Sequence, residues 1–128
     1  MKRKIIITAA IFGAIAVIAG AFGAHGLQHL ISPKYLEVWH TAVQYQFYHI
    51  FALLFLSTVT SFKQKTVSAI YYLFTLGIIF FSGSLYLLAV NEVLGWGWLF
   101  WMGPITPIGG LLFIAGWVTL AIAAFKNK

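Results

Sequence analysis

Tyr45-Gln46-Phe47-Tyr48-His49 sits inside a run, Ala42 to Phe62, that is otherwise apolar enough to cross a membrane. Hydrocarbon offers no hydrogen bonds, so a glutamine and an imidazole at that depth cost a few kcal/mol each unless they find partners. Other helices of the chain must supply those partners, and the reading of the fold follows from asking where they come from.

The chain has 128 residues, 62% hydrophobic and 8% charged, with a mean hydropathy of +0.95. A soluble domain is roughly 25% charged, so this composition cannot cover a globular surface. Apolar runs account for most of the length, which predicts a single membrane domain over residues 1–128 and no separate soluble one. A net charge of +6 would point to nucleic acid in a soluble protein. Here the basic residues stand at span ends, where topology explains them, and no nucleic-acid partner is expected. The absence of cysteine excludes disulfides and thiolate metal sites.

Lys2, Arg3 and Lys4 precede an uninterrupted apolar run, Ile5 to Ala24, whose length of about 30 Å matches the hydrocarbon core. A signal peptide cleaved near Ala19, Ala21 or Gly23 is the alternative, but secretory apolar regions are only about 7–15 residues long. Small residues recur at four-residue steps, Ala9 and Gly13, then Ala16, Gly20 and Ala24. Such steps admit a close neighbouring helix, and packing within one bundle is favoured over a pore or oligomer seam. His25 to Leu30 is too polar and glycine-rich to continue the span. Ser32-Pro33 then reads as N-cap and first helical residue. One helix is expected from Pro33 to Phe62, its first part reaching beyond the membrane and Ala42–Phe62 spanning it. Lys63-Gln64-Lys65 reads as a turn, Val67–Val90 as the third span, ended by Asn91-Glu92. Trp96, Trp98 and Trp101 mark an interfacial aromatic belt. Thr106 reads as the N-cap of a last helix, Pro107 to Phe125, followed by Lys126 and Lys128.

These readings define an all-α, antiparallel four-helix transmembrane bundle with spans at about residues 5–24, 42–62, 67–90 and 107–125. Of the basic residues only Lys34 falls on one side. By the positive-inside rule both termini are cytoplasmic, and the expected location is the inner, cytoplasmic membrane of the cell.

Counting rise per residue puts Gln46 and His49 about 6 and 10 Å below the outer boundary, with Ser82 and Ser84 at similar depth. His25 closes the first span there and Thr106 opens the last. Gln46 and His49 share a helix face, as do Ser82 and Tyr86. The bland reading is that these groups bond one another and fix the packing. The functional reading is an outward-facing pocket formed by His25, Gln46, His49, Ser82, Ser84, Thr106, Gly109 and Gly110. The free N–H groups of the last helix would face an anion, and Gly109-Gly110 would let a ligand approach the backbone.

Other chemistry lacks its parts. His25 and His29 are separated by Gly26, with carboxylates scarce, so no metal is expected. No slot for haem between His25 and His49 is signalled, and no cofactor is expected. Ser82 or Ser84 with His49 would supply part of a hydrolase site, but the only acids, Glu37 and Glu92, lie outside the spans. Enzyme activity is therefore not expected.

Four motifs occur in order along nearly the whole chain: Gly20-Ala21-Phe22-Gly23-Ala24-His25-Gly26; Tyr45-Gln46 with His49; Phe81-Ser82-Gly83-Ser84-Leu85-Tyr86; and Gly103-Pro104-Ile105-Thr106-Pro107-Ile108-Gly109-Gly110. Together they resemble the signatures of the domain-of-unknown-function 423 family, also called uncharacterised protein family 0382. The resemblance implies a bacterial-type inner-membrane protein of four helices and brings no activity, cofactor or substrate with it. The expected function is non-enzymatic binding of a lipid, a small anionic ligand or a partner protein through the outer half. The alternative is an oligomeric small transporter or channel subunit, which needs a polar path inward from His49 past Ser57, Thr58 and Thr60. Membrane lipids, a second copy of the chain or another membrane protein are the expected partners.

Overall fold

The computed structural model describes residues 1–126; Lys128, counted above among the basic residues, lies outside them. All regular structure among the described residues is helical: α1 (Lys2–His25), α2 (Pro33–Thr58), α3 (Gln64–Gly77), α4 (Gly83–Leu94) and α5 (Ile105–Lys126). Short 3-10 turns cover Leu27–His29 and Gly97–Met102, and a π turn, Ile78–Ser82, joins α3 to α4.

Three helical stretches are long and apolar enough to cross a membrane: Lys2–His29, Gln64–Leu94 and Gly97–Lys126. The stretch around His49 is not among them. Gln44, Gln46 and His49 lower its apolar content, and it ends four residues earlier than expected, at Thr58 rather than Phe62. The end has a local cause. The hydroxyls of Ser57 and Thr58 donate to the carbonyls of Leu54 and Phe55 at 2.6 and 2.7 Å, competing with backbone N–H groups for those acceptors. The chain is then extended at Val59. Gln64 and Lys65, read as part of a turn, instead form the first turn of α3, with Lys63 as N-cap.

α2 occupies the centre. It packs on α1, α4 and the π turn and buries Trp39, Ala42, Gln46, His49, Leu53 and Leu56. Its Gln46 and His49 are thus covered by neighbouring helices, while Tyr45, Tyr48, Phe51 and Phe55 form an exposed face. Contacts between neighbours run in opposite order along the chain. On α1 and α2, Phe12 meets Gln46 and Ala19 meets Trp39. From α2 to α3 and α4, Ser32 meets Glu92, Ala42 meets Ser82 and His49 meets Phe74.

Small residues set the close approaches. A Cβ on Gly23 would lie 2.8 Å from the Trp39 ring, and one on Gly116 would lie 2.6 Å from Phe74. Gly77 receives the Phe113 ring and Gly109 lies against the Phe81 backbone. Of the small residues at four-residue steps, Ala9 and Ala16 are buried and a Cβ on Gly20 would touch Val43 at 3.7 Å, whereas Gly13 faces open space and Ala24 is exposed.

Two further boundaries and one cap differ from expectation. α4 continues past Asn91-Glu92 to Leu94 and stops at Gly95, whose φ of 65° provides the left-handed cap. Ser32 does hold the N-cap position, but its side chain makes no capping bond. Its backbone N–H and hydroxyl both donate to Glu92 Oε2, at 2.9 and 3.1 Å, because a carboxylate is the stronger acceptor. α5 starts at Ile105, so Thr106 lies within its first turn and is not the N-cap. The preceding Gly97–Met102 turn leads almost directly into it, which leaves Pro107 in the first turn, where a missing N–H is tolerated.

Candidate functional site

Gln46, His49, Ser82 and Ser84 are buried and Thr106 is half-buried, and each of the five is paired within the protein. Gln46 is 2% exposed, His49 4%, Ser82 0% and Ser84 3%. Gln46 bridges two helices: its Nε2 donates to the Phe12 carbonyl of α1 at 2.8 Å, and its Oε1 accepts from the Tyr86 hydroxyl of α4 at 2.6 Å.

His49 uses both ring nitrogens. Nδ1 lies 2.7 Å from the Tyr45 carbonyl, and a carbonyl only accepts, so Nδ1 carries the hydrogen. Nε2 is then an acceptor, and the Trp117 indole N–H of α5 donates to it at 3.0 Å. The two bonds require the same neutral tautomer. The ring also lies flat on Phe113, with centroids 3.5 Å apart and planes 5° apart.

Ser82 and Ser84 separate. Two residues apart on a helix is a rotation of about 200°, so they face opposite neighbours. Ser82 donates to the Ala42 carbonyl of α2 at 2.7 Å. The Ser84 hydroxyl lies 2.9 Å from the Phe81 carbonyl of the preceding turn and shares a hydrogen bond with the Thr106 hydroxyl of α5 at 2.5 Å. These residues fall into separate hydrogen-bonded sets, Gln46 with Phe12 and Tyr86, His49 with Tyr45 and Trp117, Ser82 with Ala42, and Ser84 with Thr106, each of which ties one helical element to another. His25 does not join them: it is exposed at the end of α1. Gly109 is buried against Phe81, and Gly110 has the Phe81 ring 3.9 Å away from where a Cβ would stand. At these glycines it is another helix that makes the close approach.

Trp117, Trp39 and Phe12 were not anticipated as partners. Trp39 donates to the Ala19 carbonyl at 2.8 Å, tying α2 to α1. Trp117 is 45% exposed, and nothing in the sequence pattern marks it as the donor to His49. Phe12 contributes a backbone carbonyl, which no side-chain pattern reveals. Two buried oxygens remain without a partner among the described residues, Thr75 Oγ1 and Asn91 Oδ1. Asn91 borders a cleft of about 250 Å³ beside Tyr35, Glu92, Trp96 and Phe100. Next to it Trp96, Trp98, Phe100 and Trp101 are exposed, held by the fully buried Leu99.

A small all-helical chain with three membrane-length apolar helices and buried, internally paired polar side chains belongs to the class of integral membrane proteins. Residues 19–110 match the family described as protein of unknown function (DUF423). The chain is 46% identical to a UPF0382 membrane protein of Staphylococcus haemolyticus, over 97% of each chain. It is 44% identical to the UPF0382 membrane protein YwdK of Bacillus subtilis, over 97% of this chain and 98% of the relative. A UPF0382 membrane protein of Haemophilus influenzae is 38% identical, over 100% of this chain and 98% of the relative. The chain belongs to this family of small membrane proteins. No solved structure matches it.

Proposed function

We propose that the chain crosses the inner membrane as an antiparallel four-helix bundle with both termini cytoplasmic, and that it acts as a non-enzymatic binding module. Its outer end, around Tyr35, Asn91, Glu92 and Trp96, is the contact surface for a lipid, a small anionic ligand or a membrane partner. The observation that carries this reading is the internal pairing of Gln46, His49, Ser82 and Ser84. Polar groups already engaged at both ends of a bond serve best as fasteners, so Gln46, His49, Ser82, Ser84 and Thr106 shape the outer end rather than touch the ligand. The lone outer basic residue, Lys34, supports the orientation.

Transport is less well supported. Inward from His49, α2 buries Ile50, Leu53 and Leu56. The hydroxyls of Ser57 and Thr58 are bonded to their own helix, and Thr60 lies beyond its end.

Native mass spectrometry of the protein extracted from its own membrane tests the binding reading. The expected result is a bound species that survives Gln46→Ala and His49→Ala while thermal stability falls. Loss of that species at unchanged stability would make the buried polar residues the binding site instead. Orientation has its own test, since the chain has no cysteine: Trp98→Cys should react with an impermeant thiol reagent from outside the cell and Lys65→Cys should not.

A further inference from the structure

The end of the molecule away from Glu92 carries the basic residues, and their surroundings are uneven. Lys4 is already engaged: its Nζ donates to the Tyr72 hydroxyl at 2.7 Å and lies 5.0 Å from the centre of that ring. Lys63 and Lys126 have no such partner among the described residues. They come from separate elements, the N-cap of α3 and the last described turn of α5, and line one cleft of about 310 Å³. The other lining residues are Ser61, Phe62, Thr66 and Ala123. Neither the Ser61 nor the Thr66 hydroxyl has a hydrogen-bond partner among the described residues, whereas Ser57 and Thr58 one turn earlier both do.

Electrostatics at this cleft are one-sided. The backbone N–H groups of Thr66 and Val67 both donate to the Lys63 carbonyl, so those of Gln64 and Lys65 precede the first helical bond of α3 and add partial positive charge. Both acidic side chains are remote. Glu92 is bonded to Ser32 at the start of α2, and Glu37 stands in the first turns of that helix, about 30 Å along its axis from Thr58. Two ammonium groups, two hydroxyls and a helix start around a cleft with an apolar side at Phe62 and Ala123 suit a phosphate oxyanion attached to a less polar body.

We propose that this cleft is a phosphate-binding site, occupied by the headgroup of an anionic phospholipid or by a soluble phosphate. It is a different site from the outer contact surface and does not depend on it. The intact protein is placed in nanodiscs of phosphatidylcholine alone or with phosphatidylglycerol, and bound lipid is counted by native mass spectrometry. Inorganic phosphate is titrated into the phosphatidylcholine nanodiscs and followed by phosphorus NMR. With a lipid ligand, retained phosphatidylglycerol falls at least about tenfold in Lys63→Gln/Lys126→Gln, stays in Lys2→Gln/Arg3→Gln, and returns in Lys63→Arg/Lys126→Arg. With a soluble ligand, inorganic phosphate saturates the wild type but not Lys63→Gln/Lys126→Gln, and phosphatidylglycerol does not displace it. Equal loss in the Lys2→Gln/Arg3→Gln control would overturn the site in favour of diffuse attraction to the membrane surface. Absence of both ligands from the wild type would overturn it outright.

Discussion

Where α5 meets α3 and α4, Gly109 lies on the Phe81 backbone, Gly77 takes the Phe113 ring and Gly116 takes Phe74. Around α2, side-chain hydrogen bonds cross between the helices as well: Gln46 to Phe12 and Tyr86, Ser82 to Ala42, Trp39 to Ala19. Close glycine contacts predominate in the first seam, and side-chain hydrogen bonds to buried partners predominate in the second. The difference teaches where the protein can bear change. A steric seam has no small step between fitting and clashing, whereas a bonded seam divides its energy among contacts that within membranes average about 0.6 kcal/mol each.

Substitution at Gly109 should separate the two seams most clearly. Gly109→Val pushes a branched side chain onto backbone atoms that cannot rotate away, and a loss of about 3 kcal/mol or more is expected. Thermal unfolding in detergent checks this, and a change under about 1 kcal/mol would mean that α4 and α5 slide apart freely. His49 comes next because it belongs to both seams, bonded to Trp117 and stacked on Phe113. His49→Ala should cost about 2–3 kcal/mol, combining a cavity with an orphaned indole N–H. A double-mutant cycle with Trp117→Phe should recover about 1 kcal/mol of coupling, and simple additivity would show that the bond contributes nothing. The smallest effect is expected at Ser82. Ala42 keeps its helical bond when the serine is removed, so Ser82→Ala should cost about 0.5–1 kcal/mol. A larger loss would place Ser82 in a role beyond this single bond.

Much of the architecture was legible because it rests on patterns longer than any one contact. The apolar runs, the Ser32-Pro33 start and the need of Gln46 and His49 for partners all follow from hydropathy and from the cost of burying polar groups. The pairing of Ser82 and Tyr86 on one face, both now bonded to α2, followed from helical spacing. What escaped was decided by neighbours. Ser32 turns from capping its helix to Glu92 only because a carboxylate sixty residues away in sequence stands beside it. Thr106 looked like a cap because Pro107 follows it, yet the 3-10 turn ahead of α5 already leads into the helix. Gly109 looked like an opening for a ligand, and only the position of Phe81 reveals that the space is taken.

The π turn at Ile78–Ser82 has a consequence for how this chain compares with its relatives. The N–H of Gly83 reaches back to the carbonyl of Ile78, the wide bond that accommodates one additional residue in a helical turn. That residue offsets everything after it by about 100° relative to an unbroken helix. Gln64–Leu94 is therefore two cylinders mounted out of phase, one keyed to Phe113 and Gly116, the other to Ala42 and Gln46. A single deletion between Gly77 and Gly83 would bring them back into phase and turn Ser84 and Tyr86 from their partners without altering one side chain. In this stretch the length of the chain is itself a specificity determinant, and a gap in an alignment would matter more than a substitution.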